Sequence, residues 1–206
     1  MNFEELEHIV RAAGEVTGET EFIAIGSQSL LVSFRDLPRE LRRSPELDIT
    51  ARSNPQVADL IDGNLGEITP FHQTFHIYAH GVGPESATLA SGWESRLRKA
   101  ATPAMNGAVV YGLSPEDLAY AKLAAGREKD IDFVRGMVQH GIVSQVLVGR
   151  LIGSCPDPEL QTRLSERFTV AVGLTQIGDQ HGKKPGLSAP VRRAINEGRG
   201  KGNPER

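Results

Sequence analysis

Cysteine is nearly missing from this chain: Cys155 stands alone among 206 residues. A lone cysteine excludes an intrachain disulfide and argues against a thiolate metal cluster. Cys155 itself, just before Pro156, reads as a structural residue. Aromatic residues are scarce at 5 %, and the one tryptophan, Trp93, reads as packing. No apolar run approaches the roughly 20 residues that a membrane-spanning helix needs, so no membrane partner is expected. The N-terminal stretch reads as an acidic amphipathic helix rather than a signal peptide, which makes the cytoplasm the simplest compartment. There is also no strong excess of one charge, since the net value is −3. That near balance hides an asymmetry. Residues 178–206 carry Lys183, Lys184, Arg192, Arg193, Arg199, Lys201 and Arg206 against three acids, so the tail is basic and the body acidic.

What is present is ordinary globular material. Hydrophobic residues make up 39 % and charged residues 24 %, enough for a sizeable core. The length fits one domain, or one domain with a helical appendage. Phe3, Leu6, Ile9 and Val10 recur at helical spacing, so a helix is expected over 3–13, ended near Gly14. Residues 22–25 read as a buried strand, and the chain from Gly26 as a short helix carrying Leu30, Leu31 and Phe34. A second strand is expected from Glu46 to Ala51. Asn54-Pro55 signals a helix start, with Asp62-Gly63 as its stop. Residues 71–83 look β-like, and residues 108–113 read as a further strand. Ser114-Pro-Glu-Asp117 is a strong helix start, with a Ser cap, Pro in the first turn and acids facing the dipole. That helix should break near Gly126, with more helix over 128–139, 143–153 and 157–177. After Gly178 there is little to bury, and a mobile basic tail is expected.

Chemistry concentrates in three places. The first is Gly26-Ser27, where a strand meets a helix. Such a turn offers backbone N–H groups and a hydroxyl to a phosphate, although Gly and Ser also sit there for geometry alone. It lacks the length and the lysine of a P-loop. The second is Glu46 and Asp48, spaced i and i+2, which a strand places on one face while Leu47 and Ile49 point to the other. Two adjacent carboxylates are costly to keep ionised without a cation between them. A solvated edge strand is the bland alternative, but the phosphate-type turn tips the pair towards Mg²⁺ ligands. The third is the segment Asp117 to Asp132. Lys122 sits in an otherwise apolar helix, where it either snorkels to the surface or serves an anion. With Arg127 and Lys129 it makes a candidate triphosphate site, and Asp130 a candidate to orient a contact or complete the acidic site. Local ion pairs on a solvated junction are the alternative there. His72, His76 and His80 recur every four residues; a zinc site is the sharper reading, a structural role the plainer one.

Taken together, the Gly-Ser turn, the acid-x-acid strand and the later Ser-Pro-Glu-Asp-Leu-Ala-x-x-Lys-Leu-Ala-Ala-Gly-Arg-Glu-Lys-Asp segment resemble nucleotidyltransferase-like proteins related to the abortive-infection AbiEii toxins. The resemblance covers about residues 15–140 and is most specific from Lys122 to Asp130. It implies an α/β (α+β) polymerase-β-type nucleotidyltransferase core over 1–113, with a mixed sheet and flanking helices. A helical region over 114–177 would complete the site, and a flexible basic tail would occupy 178–206. By the same resemblance, Gly26 and Ser27 contact nucleotide phosphates and Glu46 and Asp48 bind Mg²⁺ or Mn²⁺. Lys122 is then the phosphate-binding lysine and Asp130 the late acid. The family's pair is usually Asp-x-Asp, and Glu46 departs from it by one methylene.

The implied activity is Mg²⁺-dependent transfer of an NMP from an NTP to an acceptor hydroxyl, on RNA such as a tRNA 3′ end or on a protein. A toxin of this kind would have a cognate antitoxin as partner, and the basic tail suits an RNA acceptor. The alternative is a catalytically silent nucleotide-binding or regulatory module of the same fold, which the Glu46 substitution favours. A plain interaction protein is a third reading.

Overall fold

A computed structural model of the protein describes residues 1–178. The basic tail expected from 178 onward lies, beyond Gly178, outside the described residues. Five strands form one mixed sheet: β1 (Glu21–Ala24), β2 (Glu46–Ala51), β3 (Tyr78–Gly81), β4 (Arg98–Ala100) and β5 (Val109–Gly112), in the order β3-β2-β1-β5-β4. β1 runs antiparallel to β2 and parallel to β5, β2 is parallel to β3, and β4 is antiparallel to β5. Within this α/β architecture the acid-bearing strand β2 lies one place from an edge, with only β3 outside it.

Helix α1 (Phe3–Thr17) starts on a capping box, in which Asn2 and Glu5 each bond the other's backbone N–H. Its buried stripe, Phe3, Leu6, Ile9, Val10 and Ala13, faces the core. The expected stop at Gly14 does not occur; the helix runs on to Thr17 and closes at Gly18 in the left-handed conformation. On β2, Leu47 and Ile49 are fully buried while Glu46 and Asp48 are half-buried. Each buried aliphatic side chain contributes about 1.5–3 kcal/mol, and a one-residue slip would bury the acids instead. After β1 the chain enters a 3₁₀ turn at Ser27–Ser29 and then α2 (Leu30–Ser33), whose Leu30, Leu31 and Val32 are buried.

Two sequence expectations are corrected between the second and third strands. The helix after Asn54-Pro55 becomes α3 (Ala58–Leu65) after a 3₁₀ turn and passes straight through Asp62-Gly63. A side chain at Gly63 would meet no neighbour, so that glycine carries no stop signal. Asn54 makes no cap bond through its side-chain oxygen, and its amide nitrogen donates to Glu19. The β-like stretch from 71 is instead helix α4 (Pro70–Phe75), started by a Thr69 cap on the His72 N–H and by Pro70 in the first turn. Phe71 and Phe75 pack on each other and edge-on to His8. Only from Tyr78 does the chain become strand. Strand β4 was not foreseen; it is three residues long and mostly exposed, too short to leave a pattern.

The C-terminal half is helical, as expected: α5 (Pro115–Ala125), α6 (Glu128–Gln139), α7 (Gln145–Gly153) and α8 (Pro158–Gly178). Ser114 caps α5 by accepting from the Asp117 N–H, and Gly126 closes it with φ +69. Arg167 of α8 donates to the Leu123 and Ala124 carbonyls at 2.7 and 2.9 Å. A cation there satisfies orphan carbonyls and complements the helix dipole. α6 packs on α5 and α8, so the Lys122-to-Asp130 segment is held at both ends. Cys155 is half-buried and Trp93 packs partly buried against the core. Among the described residues no helix is long and apolar enough to cross a membrane.

Candidate active site

The turn after β1 and the face of β2 meet because the Ile25 N–H donates to the Asp48 carbonyl at 3.0 Å. That bond extends the β1–β2 pairing by one residue and sets Gly26 directly beside Asp48. A Cβ on Gly26 would lie 1.7 Å from Asp48 Oδ2 and 2.8 Å from its Cγ. Glycine is thus required by space rather than by backbone angle, since its φ of −76° suits any residue. The carboxylate occupies the room a side chain would take.

Glu46 and Asp48 project from the same face of β2, as their spacing implies. The parallel β2–β3 pairing adds a third group. Asp48 lies opposite His80, and Glu46 opposite Tyr78, so His80 shares the acidic face. Its Nδ1 lies 3.3 Å from Glu46 Oε1 and 3.4 Å from Asp48 Oδ1. One ligand atom from each of the three falls within 4.8 Å of the others. Burial, followed by the charge of Asp48, pushes the Glu46 carboxyl above the usual carboxylate range, with His80 opposing. This is the electrostatic signature of acids set close together and partly dried.

The other wall of the same cleft is basic. Lys122 Nζ donates to Asp130 Oδ1 at 3.1 Å, and Arg127 Nε donates to Asp130 Oδ2 at 2.5 Å. Asp130 is only 1 % exposed, while its partners reach solvent. Burial would raise its pKa, but the Arg127 hydrogen bond and the Lys122 charge prevail and hold it low. Asp130 therefore acts as a buried anchor that fixes two cations at the mouth of the cleft. Lys129 lines the cleft beside them.

The two walls enclose a cleft of about 1040 Å³. The structure brings together in it the residues singled out for the phosphate turn, the acid pair and the basic segment: Gly26, Ser27, Glu46, Asp48, Lys122, Arg127, Lys129 and Asp130. His80 was singled out only with His72 and His76, and the three do not converge. His72 is on α4 and accepts from the Ile68 N–H, His76 is the left-handed cap of that helix, and His80 is on β3. Gln28 carries no signal in the sequence. It lines the cleft, is 1 % exposed, and neither amide atom has a hydrogen-bond partner among the described residues. A buried amide left in that state costs about 1–3 kcal/mol, which a polar ligand or water would relieve.

The donor set fits a divalent cation: two carboxylates and an imidazole converge, with space secured by the glycine next to Asp48. The cations opposite fit a polyanion. A small, multiply charged molecule carrying phosphates and a metal would have both its charges met in one cleft.

The family described as "Nucleotidyltransferase of unknown function (DUF6036)" matches residues 4–154. No curated protein and no solved structure matches the chain.

Proposed function

The chain belongs to this family of nucleotidyltransferases, matched over residues 4–154, and from that premise we propose that it moves an NMP from an NTP to an acceptor hydroxyl, with Mg²⁺ or Mn²⁺. The observation that carries this reading is the convergence of Glu46 and Asp48 with Lys122, Arg127 and Lys129 on one cleft. In the reaction an acceptor oxygen forms a bond to the α-phosphorus while the bond to the bridging oxygen breaks. Pyrophosphate leaves, and the hydroxyl proton passes to water.

Each side chain has a part in this proposal. Glu46 and Asp48 would hold the cation, which would supply charge neutralisation for the phosphates and the departing pyrophosphate. Gly26 and Ser27 lie against the phosphates at the turn. Lys122, Arg127 and Lys129 bind the triphosphate, with Arg127 suited to paired contacts on phosphate oxygens. Asp130 positions Lys122 and Arg127; its buried, doubly paired carboxylate is poorly placed to take a proton. Residues 1–113 form the nucleotidyltransferase core, and 114–177 complete the cleft.

The acceptor is RNA, such as a tRNA 3′ end, or a protein, and the protein is a toxin of the AbiEii type with a cognate antitoxin. The Lys122-to-Asp130 segment supports that narrower kinship. Glu46, in place of the usual first Asp, favours a second reading: a silent nucleotide-binding module.

Incubating the protein with each α-labelled NTP, a divalent cation and total RNA, beside Asp48→Ala, separates these. Label on RNA or protein with wild type alone supports transfer and identifies the acceptor class. NTP binding without label under any condition supports the silent module.

A further inference from the structure

We propose that His80 is a ligand of the cation held by Glu46 and Asp48, and that this mixed nitrogen–oxygen set makes the site prefer Mn²⁺ over Mg²⁺. The inference rests on the reading of Glu46 and Asp48 as metal acids, and goes beyond it by adding a residue and a metal preference.

Backbone register places His80 there. Parallel pairing sets its Cα opposite that of Asp48, and the two-residue side-chain period puts the imidazole on the acidic face, while Leu47 and Ala79 are buried on the other. Nδ1 lies nearly equidistant from two carboxylate oxygens, at 3.3 and 3.4 Å. Two ligand atoms in the shell of one ion, each about 2.1 Å from it, lie roughly 3 to 3.5 Å apart. Only small side-chain movements are needed to receive the ion. Asp48 is kept at the centre of the set by the space beside Gly26. A second observation also points to a ligand in this cleft: Gln28, 1 % exposed, lines it with both amide atoms unpartnered among the described residues.

Ligand chemistry decides the metal. Mg²⁺ takes oxygen donors in a strict octahedron and gives up its waters reluctantly. Imidazole is a borderline nitrogen donor; Mn²⁺, though the weakest binder of the first-row transition ions, accepts it more readily than Mg²⁺ does. An all-carboxylate site has no such bias beyond that of its oxygens. Replacing one of three oxygens by Nδ1 tilts the site towards Mn²⁺ without adding charge. His80 is half exposed, on an edge strand, so its replacement leaves the fold intact.

The test uses the full chain without nucleotide. Mn²⁺ binding is followed by calorimetry and by electron spin-echo spectroscopy, which reports nitrogen bonded to Mn²⁺. Mg²⁺ affinity is read by competition. Wild type should show ¹⁴N modulation. His80→Ala should lose that signal and bind Mn²⁺ about tenfold or more weakly. His80→Asp should lose it too, yet narrow the preference for Mn²⁺ over Mg²⁺ about tenfold. If bound Mn²⁺ shows no nitrogen, or if His80→Ala and His80→Asp leave affinity and preference unchanged, the inference is overturned. Asp48→Ala separates the two levels. Loss of Mn²⁺ binding in Asp48→Ala with none in His80→Ala keeps the acid pair and removes His80. Nitrogen-coupled Mn²⁺ without NMP transfer keeps His80 and removes the proposed activity.

Discussion

Gly26 and Asp48 compete for one volume: the Cβ that Gly26 lacks would lie 1.7 Å from the Asp48 carboxylate oxygen. The turn after β1 and the acid on β2 are therefore a single unit, joined by the hydrogen bond from Ile25 to Asp48. Gly26→Ala should displace the carboxylate rather than the backbone, because the side chain is the part free to rotate. Turnover should fall about 100-fold, the scale on which a displacement of about 1 Å acts. Thermal stability should change little. Equal losses in melting temperature and activity would instead point to a general disturbance of the turn.

Lys122→Met keeps the length of the side chain and removes its charge. NTP affinity, read as the nucleotide-dependent rise in melting temperature, should weaken about 10- to 100-fold, or about 1.4–2.8 kcal/mol. Metal binding without nucleotide should persist, since Lys122 pairs with Asp130 and not with Glu46 or Asp48. A parallel loss of metal affinity would contradict the division of the cleft into an acidic and a basic wall.

Asp130→Asn should destabilise the protein by about 2 kcal/mol at neutral pH. The figure is below that of a fully buried pair because Arg127 and Lys122 keep access to water. The pH dependence has a definite sign. The Asp130 pKa is lowered in the fold, so its stabilisation is complete above the unfolded value, near about 3.9, and is lost as pH falls through the lower folded value. Urea titrations should show the gap between wild type and variant narrowing below about pH 4. A gap that stays constant into strong acid would refute the assignment.

Arg96→Ala tests how the basic wall is anchored. Arg96 Nε and a terminal nitrogen bond the Asp117 carboxylate at 2.9 and 2.6 Å, and Asp117 is fully buried at the start of α5. Removing the arginine strands that charge and should cost about 2–4 kcal/mol in chemical denaturation. The double variant Arg96→Ala with Asp117→Asn should recover part of it. No recovery would mean that Arg96 contributes mainly through packing of its stem.

The legible parts of the site had strong local signals. Glu46 and Asp48 alternate with Leu47 and Ile49, and only β2 accounts for both sets. Ser114-Pro-Glu-Asp117 states a helix start in four residues, which located Lys122. The histidines were misleading because their fourfold spacing continues unbroken across a change from helix to strand. Thr69-Pro70 is a helix-start signal, but Pro70 with Gly81 and Gly83 reads as a mark against helix, and Phe75, Ile77 and Tyr78 read as strand. His80's partnership with Asp48 depends on strand register across 32 positions of sequence, which no local pattern encodes. Gln28 was unreadable for a similar reason: its burial follows from packing between distant elements.

The anchoring of Lys122 and Arg127 on Asp130 has a consequence for synthesis. The acids on β2 leave the ribosome about 80 residues before Asp130, so a nascent chain presents the acidic wall of the cleft long before its basic wall. Until α6 has emerged and folded, the half-made protein has no complete cleft. A chain that stalls before α6 therefore carries the acids of β2 without the Asp130 that holds Lys122 and Arg127 in place.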